Sequence, residues 1–181
     1  MADRGRGLGL ISAAKPGPAP EEAGWGVTAA RLLRLLAVSE GVTVAPPWRR
    51  VFVGEASQVS HARRFVKDAL DGCPAADTVV LLADELVTNA LVHTRSGRGG
   101  LFEVIGWSGP SSACVAVLDG GSDGEPSPAD SDAMRESGRG LTLVDALATR
   151  WGHAGDCGGR VTWFVVRWPE EQHPGASGRA G

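Results

Sequence analysis

The sequence ADTVVLLADELVTNALVH, residues 76–93, is the longest helical pattern in the chain and contains neither glycine nor proline. At about 100° per residue, its apolar side chains cover most of the helix circumference. The continuous apolar arc consists of Val79, Ala83, Val87, Ala90 and Leu91. A helix that is apolar on most sides is usually buried between other elements. We therefore predict a helix over 76–93 that is sandwiched in the core and is terminated by Gly97, Gly99 and Gly100.

One edge of this predicted helix is polar. Glu85, Asn89 and His93 follow one another at intervals of four residues, which places them within about 80° around the helix axis. The same edge is crowded by apolar residues, namely Leu81, Leu82, Leu86 and Val92. A carboxylate in such surroundings needs a hydrogen-bonding partner or a chemical role. Two interpretations remain open: Glu85 and Asn89 bond to neighbouring backbone groups, or they form a metal-binding and general-base pair.

The segments on either side of this helix predict further strands and helices. Trp48–Glu55 is rich in β-branched and aromatic residues, and Ser57 opens a helical pattern that ends near Leu70. Leu101–Trp107 and Ser112–Asp119 are two strand patterns separated by a short turn. Because so short a connection favours a hairpin, we expect these two strands to be antiparallel neighbours.

The C-terminal part completes the pattern. It predicts a helix over Gly140–Thr149, a strand or turn over Thr149–Gly155, and a closing strand over Arg160–Trp168. The central strands are joined by a hairpin and not by a crossover helix, which favours an α+β fold. We predict a two-layer sandwich in which a mostly antiparallel sheet carries helices on one face.

A polar segment, Gly120–Arg139, separates the predicted hairpin from the following helix. Its length, about 20 residues, is typical of functional lids when it occurs inside a domain. The segment leads into Gly138-Arg139-Gly140, directly before a helical pattern. Free backbone N–H groups and the positive end of a helix suit a phosphate group. A flexible turn without a ligand is the alternative interpretation.

Asp119 is a further candidate for a binding role. It ends an apolar strand and is followed by Gly120 and Gly121. A carboxylate in this position can accept a hydrogen bond from an amino group that lies against the glycine backbone. Asp-Gly is also a common turn sequence, and this second interpretation stays open.

The composition narrows the class of protein. The 181 residues include 18 Lys+Arg and 21 Asp+Glu, for a net charge of −3, so the chain lacks the cationic excess needed to bind nucleic acid directly. Its 3 cysteines are too few for a disulfide framework and favour a reducing, cytoplasmic location. No apolar run approaches the length of a membrane span. We expect a cytoplasmic protein without membrane or direct nucleic-acid contacts.

The chain divides into one predicted domain and two tails. Residues 1–45 are rich in Gly, Ala and Pro and predict a disordered tail, within which 27–40 could be a short amphipathic helix or a disordered apolar segment. The domain is expected over 46–169, and 170–181 is a second polar tail.

Several of these motifs, taken in order, resemble the GHKL (histidine-kinase-like) ATPase domain. They are ELVTNALVHT at 85–94, the strand that ends in Asp119-Gly-Gly, the long polar loop, GRGLTLVDALATRWG at 138–152, and GGRVTWFVV at 158–166. More narrowly, the chain looks like the bacterial anti-sigma-factor serine kinases and the small ATP-binding regulators of actinobacteria. The resemblance covers about Trp48–Trp168.

The resemblance implies a role for each residue of the matching motifs. Asn89 would hold Mg²⁺ on the phosphates of ATP, and Glu85 would act as the base or orient the attacking hydroxyl. Asp119 would read the adenine, and His93 would touch the lid or a phosphate. The lid over the phosphates would end at Gly138, Arg139 and Gly140.

The sequence also departs from the family pattern at two places. Gly121 keeps the first glycine of the family's Asp-x-Gly-x-Gly, but Asp123 stands in place of the second, with Gly124 one step late. Thr162 comes one residue later than the threonine that helps to bind adenine in many relatives, which would place it on the opposite face of the strand.

The function implied by the resemblance is that of an ATP-binding regulatory serine/threonine protein kinase of the anti-sigma-factor type. Its cofactors would be ATP and Mg²⁺, and its partners would be a sigma factor and the antagonist protein that it phosphorylates. Relatives often pair through the first strand and helix, here about Trp48–Leu70, so a homodimer is expected as one option. The alternative is a non-catalytic module that binds ATP or a partner with a degenerate nucleotide site.

Overall fold

The computed structural model describes residue 38, residues 47–121 and residues 138–169. Apart from residue 38, the predicted tails therefore lie outside the described residues, as does most of the polar loop, including Asp123 and Gly124. The domain boundary predicted near residue 46 stays a prediction.

The described residues form a five-stranded antiparallel sheet and three α-helices. The strands are β1 (Trp48–Val53), β2 (Leu101–Ser108), β3 (Ser112–Asp119), β4 (Arg150–Asp156) and β5 (Gly159–Arg167). The helices are α1 (Gln58–Ala69), α2 (Ala76–His93) and α3 (Gly138–Leu147), and a 3-10 helix covers Arg95–Arg98. The predicted α+β fold with a mostly antiparallel sheet is confirmed.

The strand order β1-β2-β3-β5-β4 determines which strand ends meet. β2 and β3 form the predicted hairpin, closed by a hydrogen bond of 2.8 Å from the Gly109 N–H to the carbonyl of Ser112. β5 lies between β3 and β4, and its register places Arg160 opposite Asp119. The end of β3 and the beginning of β5 therefore share one edge of the sheet.

The three helices cover one face of this sheet. Alternate residues of β1, β2, β3 and β5 face the helices, because successive side chains of a strand point to opposite faces. The core between the two layers includes Phe52, Phe102, Val104, Val115, Val117, Phe164, Val66, Val79, Leu82, Leu86, Val87 and Val144. α2 packs against α1, α3 and the sheet, which makes it the central helix.

Three details differ from the sequence prediction. Ser57 directly precedes α1, but it makes no side-chain cap bond, and its hydroxyl donates to Glu55 Oε2 at 3.3 Å. α3 begins at Gly138, two residues before its predicted start. Leu81 and Val92 are 42% and 62% exposed, so the apolar crowding predicted around the polar edge of α2 is only partial.

None of the described helices is long and apolar enough to cross a membrane.

Candidate functional site

The polar edge of α2 contains an unsatisfied amide. Glu85 and Asn89 are half-buried one helical turn apart. The Nδ2 atom of Asn89 is buried, and no hydrogen-bond acceptor among the described residues contacts it. Leaving such a group unpaired costs about 1–3 kcal/mol. The interpretation in which Asn89 bonds to neighbouring backbone is therefore not supported for its amide nitrogen, and a bound ligand would offset the cost.

Glu85 lies directly against the first turn of α3. A Cβ atom placed on Gly140 would collide with Glu85 Oε2, so the Glu85 carboxylate can keep its observed position only beside a glycine. The first four N–H groups of an α-helix have no partner within the helix. Gly138, Arg139 and Gly140 form this first turn, so their N–H groups are among those without a partner within the helix.

Asp119 lies at the buried end of β3. It is 6% exposed, and its Oδ1 accepts a hydrogen bond of 2.9 Å from the Gly121 N–H. Its Oδ2 lies 3.5 Å from Arg160 Nε, a distance that fits an ion pair better than a well-formed hydrogen bond. Burial raises the pKa of Asp119 above its usual range, and the charge of Arg160 and the Gly121 N–H oppose that shift.

The backbone after Asp119 is held in a specific conformation. Gly121 has a φ of 68°, in the left-handed region that costs residues with a Cβ about 1–2 kcal/mol. Its carbonyl accepts a hydrogen bond of 3.0 Å from the Arg95 N–H. The Gly120 N–H donates to Ser96 Oγ at 2.9 Å. The glycines that follow the strand are thus fixed against the 3-10 helix.

Sequence reasoning missed the residues that build this support. Thr94 Oγ1 donates to the carbonyl of Ala90 at 2.6 Å and accepts from the Ser96 N–H at 3.1 Å. Ser96 Oγ in turn donates to the carbonyl of Leu101 at 2.6 Å. Thr94 and Ser96 are both buried. A Thr-x-Ser directly after a predicted helix was the available signal, because such side chains bond to nearby backbone.

Arg160 is the second missed residue. Its side chain is 13% exposed, and its Nε has no hydrogen-bond partner among the described residues. The same guanidinium lies near His93 at the end of α2, where partial burial and the charge of Arg160 lower the pKa of His93. The charge of Arg160 therefore acts on both His93 and Asp119. Its role depends on the β3–β5 register, which no sequence pattern fixes.

The structure places Thr162 on the side of the sheet that carries the site. Phe164 and Val166 of β5 belong to the core beneath the helices, and Val161 belongs to a separate cluster on the other face. Strand alternation then puts Thr162 on the helix-covered face, together with Asp119. The sequence analysis expected Thr162 on the opposite face of the strand, because it comes one residue late. The structure instead keeps Thr162 on the face that carries Asp119.

Four segments thus contribute to one end of the molecule: the polar edge of α2, the end of β3, the beginning of β5 and the first turn of α3. Within the described ranges, no group of three or more His, Cys, Asp or Glu side chains could hold a metal ion by itself. Asn89 and Glu85 offer oxygen donors, which Mg²⁺ prefers, and Mg²⁺ commonly uses only one or two protein ligands together with phosphate oxygens. The residues present therefore fit a Mg²⁺–phosphate group.

Comparison with known families agrees with this arrangement. The family described as histidine kinase-like ATPase domain matches residues 52–165, which is more than half of the chain. The chain belongs to this family. No curated protein sequence matches the chain significantly. The fold and the family together define a GHKL-type ATPase domain, a class whose members bind ATP.

Proposed function

We propose that the chain is a regulatory protein kinase of the anti-sigma-factor type, which transfers the γ-phosphoryl group of ATP to a serine or threonine of a protein antagonist and sequesters a sigma factor. The observation that carries the nucleotide site is the buried, unpartnered Nδ2 of Asn89, one helical turn from Glu85, which itself lies against the first turn of α3. The resemblance of the sequence motifs supports the partners.

The described residues could bind the phosphate end of the nucleotide. The amides of Gly138, Arg139 and Gly140 belong to the first turn of α3, where free N–H groups and the helix dipole stabilise anions. The Asn89 side chain offers a carbonyl oxygen for Mg²⁺ and an N–H donor for a phosphate oxygen. When bound, ATP supplies the phosphoryl group and Mg²⁺ neutralises its charge.

Two further residues would act on the attacking hydroxyl and on the adenine base. Glu85 would orient the attacking hydroxyl of the partner protein and accept its proton. Asp119 would accept a hydrogen bond from the amino group of adenine, with the base lying against Gly120 and Gly121. Phosphoryl transfer is mostly positioning and charge stabilisation, so few protein groups are needed.

One observation favours a second candidate function, a non-catalytic binding module. The carboxylate expected to read adenine already faces the guanidinium of Arg160 at 3.5 Å. The amino group of the base would compete with this cation for Asp119. Such competition would weaken ATP binding, and the chain would then act by holding a partner.

Transfer of labelled phosphate separates the two functions. The chain is incubated with γ-labelled ATP·Mg²⁺ and an antagonist co-purified from the native host, and labelled antagonist is measured over time. Glu85→Gln keeps the shape of the side chain but removes the base. It should slow transfer by up to about 10²–10⁴, or roughly 3–5 kcal/mol of barrier, with the lower end expected because the transition state is loose.

The matched control is Thr88→Ala, an exposed position on the same helix, which should transfer at the wild-type rate. If the wild type binds ATP but labels no antagonist, the kinase is excluded and the binding module stands. If Glu85→Gln transfers at the wild-type rate, Glu85 is not the base.

A further inference from the structure

The face of the sheet opposite α1, α2 and α3 is buried and mostly apolar, and its buried charged residue is Glu103 of β2, which pairs with Arg49 at 2.6 Å. The buried apolar side chains of this face come from β2, β3 and β5 and are Ile105, Trp107, Cys114, Ala116, Leu118, Val161 and Val165, each at most 5% exposed. All members of this cluster belong to strands, whereas the helices contribute to the core on the other face. We call this set of residues the second face. No helix among the described residues packs over it.

The burial is that of a single chain, which points to a cover from elsewhere in the same chain. At the β1 edge, Val51 and Val53 alternate with the helix-facing Phe52 and are 44% and 45% exposed. The covered stripe therefore spans β2, β3 and β5 and stops before β1. Strands lie about 4.8 Å apart, so this stripe is about 10 Å wide. A single α-helix with its side chains has a diameter of about 10–12 Å.

The composition of the chain outside the described residues indicates which segment is suitable. Residues 122–137 and 170–181 are polar, and residues 1–26 are rich in Gly, Ala and Pro. Residues 27–40, VTAARLLRLLAVSE, are apolar and periodic. Their leucines are Leu32, Leu33, Leu35 and Leu36, with Arg31 before them and Arg34 between them. Such a segment can present one apolar face and one charged face as a helix.

Two further observations agree with this choice. Val38, the described residue within the segment, is helical and 48% exposed. The chain enters the sheet at Trp48, which packs against the helix-side core and pairs with Gly106, one residue along β2 from Trp107 of the second face. The seven residues from 41 to 47 can span up to about 24 Å, which is enough to bring a helix from β1 onto the neighbouring strands.

We propose that residues 27–40 pack as an amphipathic helix across β2, β3 and β5 and cover the second face. At 1.5 Å per residue this helix would be about 21 Å long, enough to cover the buried part of each strand. The segment would then be an integral part of the folded domain and not of a tail. The sheet would have helices on both faces.

The thiol of Cys114 reports directly on this cover, because it lies on the second face and is 0% exposed. In the full chain with Cys73→Ser and Cys157→Ser, Cys114 is the remaining cysteine. The variant L32S/L33S/L35S/L36S should expose Cys114. A thiol reagent should then modify Cys114 faster by roughly tenfold or more, because reactivity follows access. The control, L8S/L10S/I11S, should leave the rate unchanged. If Cys114 is modified equally slowly in the folded leucine variant and in the chain that keeps its leucines, the proposal is overturned.

A second experiment does not depend on the stability of the leucine variant. Single cysteines are placed at positions 30–37 of the same background, and disulfide formation with Cys114 is measured under mild oxidation. Intramolecular crosslinks should recur at a spacing of three or four residues. Crosslinks only between two chains would instead assign the cover to a second copy, and no crosslink at any position would exclude the segment. Neither readout involves ATP, so failure here is distinguishable from failure of the proposed kinase.

Discussion

At the scale of single residues, Arg160 controls the charge of the candidate site. It faces the buried carboxylate of Asp119 at 3.5 Å, and its charge adds to the effect of partial burial in lowering the pKa of His93. Without this cation, burial would raise the pKa of Asp119 further, and the carboxyl would hold its proton more tightly. The charge that an incoming base meets at Asp119 therefore depends on a residue of the neighbouring strand as well as on the nearby Gly121 N–H.

The lowered pKa of His93 predicts a pH dependence of stability. Partial burial, followed by the charge of Arg160, disfavours the protonated imidazole in the folded state. The unfolded chain then binds this proton more readily, so the free energy of unfolding is highest above the ordinary value of 6.5 and falls as the pH drops through it. Urea unfolding is measured at about pH 7.5 and pH 5.5. The free energy of unfolding should fall less on acidification in His93→Gln than in the wild type.

The exposed His61 on α1 supplies the control for this measurement. His61→Gln should lose as much stability on acidification as the wild type. If His93→Gln has the same pH dependence as the wild type, the environment assigned to His93 is wrong.

At the scale of elements, the packing of α3 on α2 depends on Gly140. Gly140→Ala would drive a methyl group into Glu85 Oε2, which lies at the end of a flexible side chain and can move aside. Phosphoryl transfer should fall by roughly tenfold or more, because small displacements of catalytic groups are costly. The free energy of unfolding should change by less than about 1 kcal/mol, since alanine also favours the helix.

The control for this variant is Ala146→Ser, which adds one heavy atom at an exposed position of α3. It should leave transfer unchanged. Wild-type transfer by Gly140→Ala would show that Glu85 does not need its observed position.

The elements differ in how well the sequence predicts them. The bounds of α2, residues 76–93, were predictable because its long pattern contains no breaking residue. The β2–β3 hairpin followed from two strand patterns with turn residues between them. The 3-10 helix Arg95–Arg98 was missed because a four-residue element has no period to detect. The start of α3 was placed too late because its first turn contains two glycines, which local propensity assigns to a turn.

At the scale of the whole molecule, the site exists because of the sheet topology. The order β1-β2-β3-β5-β4 brings the end of β3 next to the beginning of β5, and hydrogen bonds join the end of β3 to the 3-10 helix that follows α2. Sequence motifs predicted Glu85, Asn89 and Asp119 as candidates through their residue types and their order along the chain. The ion pair with Arg160 could not be predicted, since it follows from long-range register.

The most direct test of the account is the affinity for ATP·Mg²⁺, measured by calorimetry on the full chain. Asn89→Ala removes the buried amide that the structure leaves unpartnered, and Thr88→Ala changes an exposed neighbour on the same helix. We predict that the wild type and Thr88→Ala bind ATP·Mg²⁺ equally, and that Asn89→Ala binds at least about tenfold more weakly while remaining folded, a loss of about 1.4 kcal/mol or more. Equal binding by folded Asn89→Ala and the wild type, or no binding by the wild type, would contradict the assignment of this site to the nucleotide.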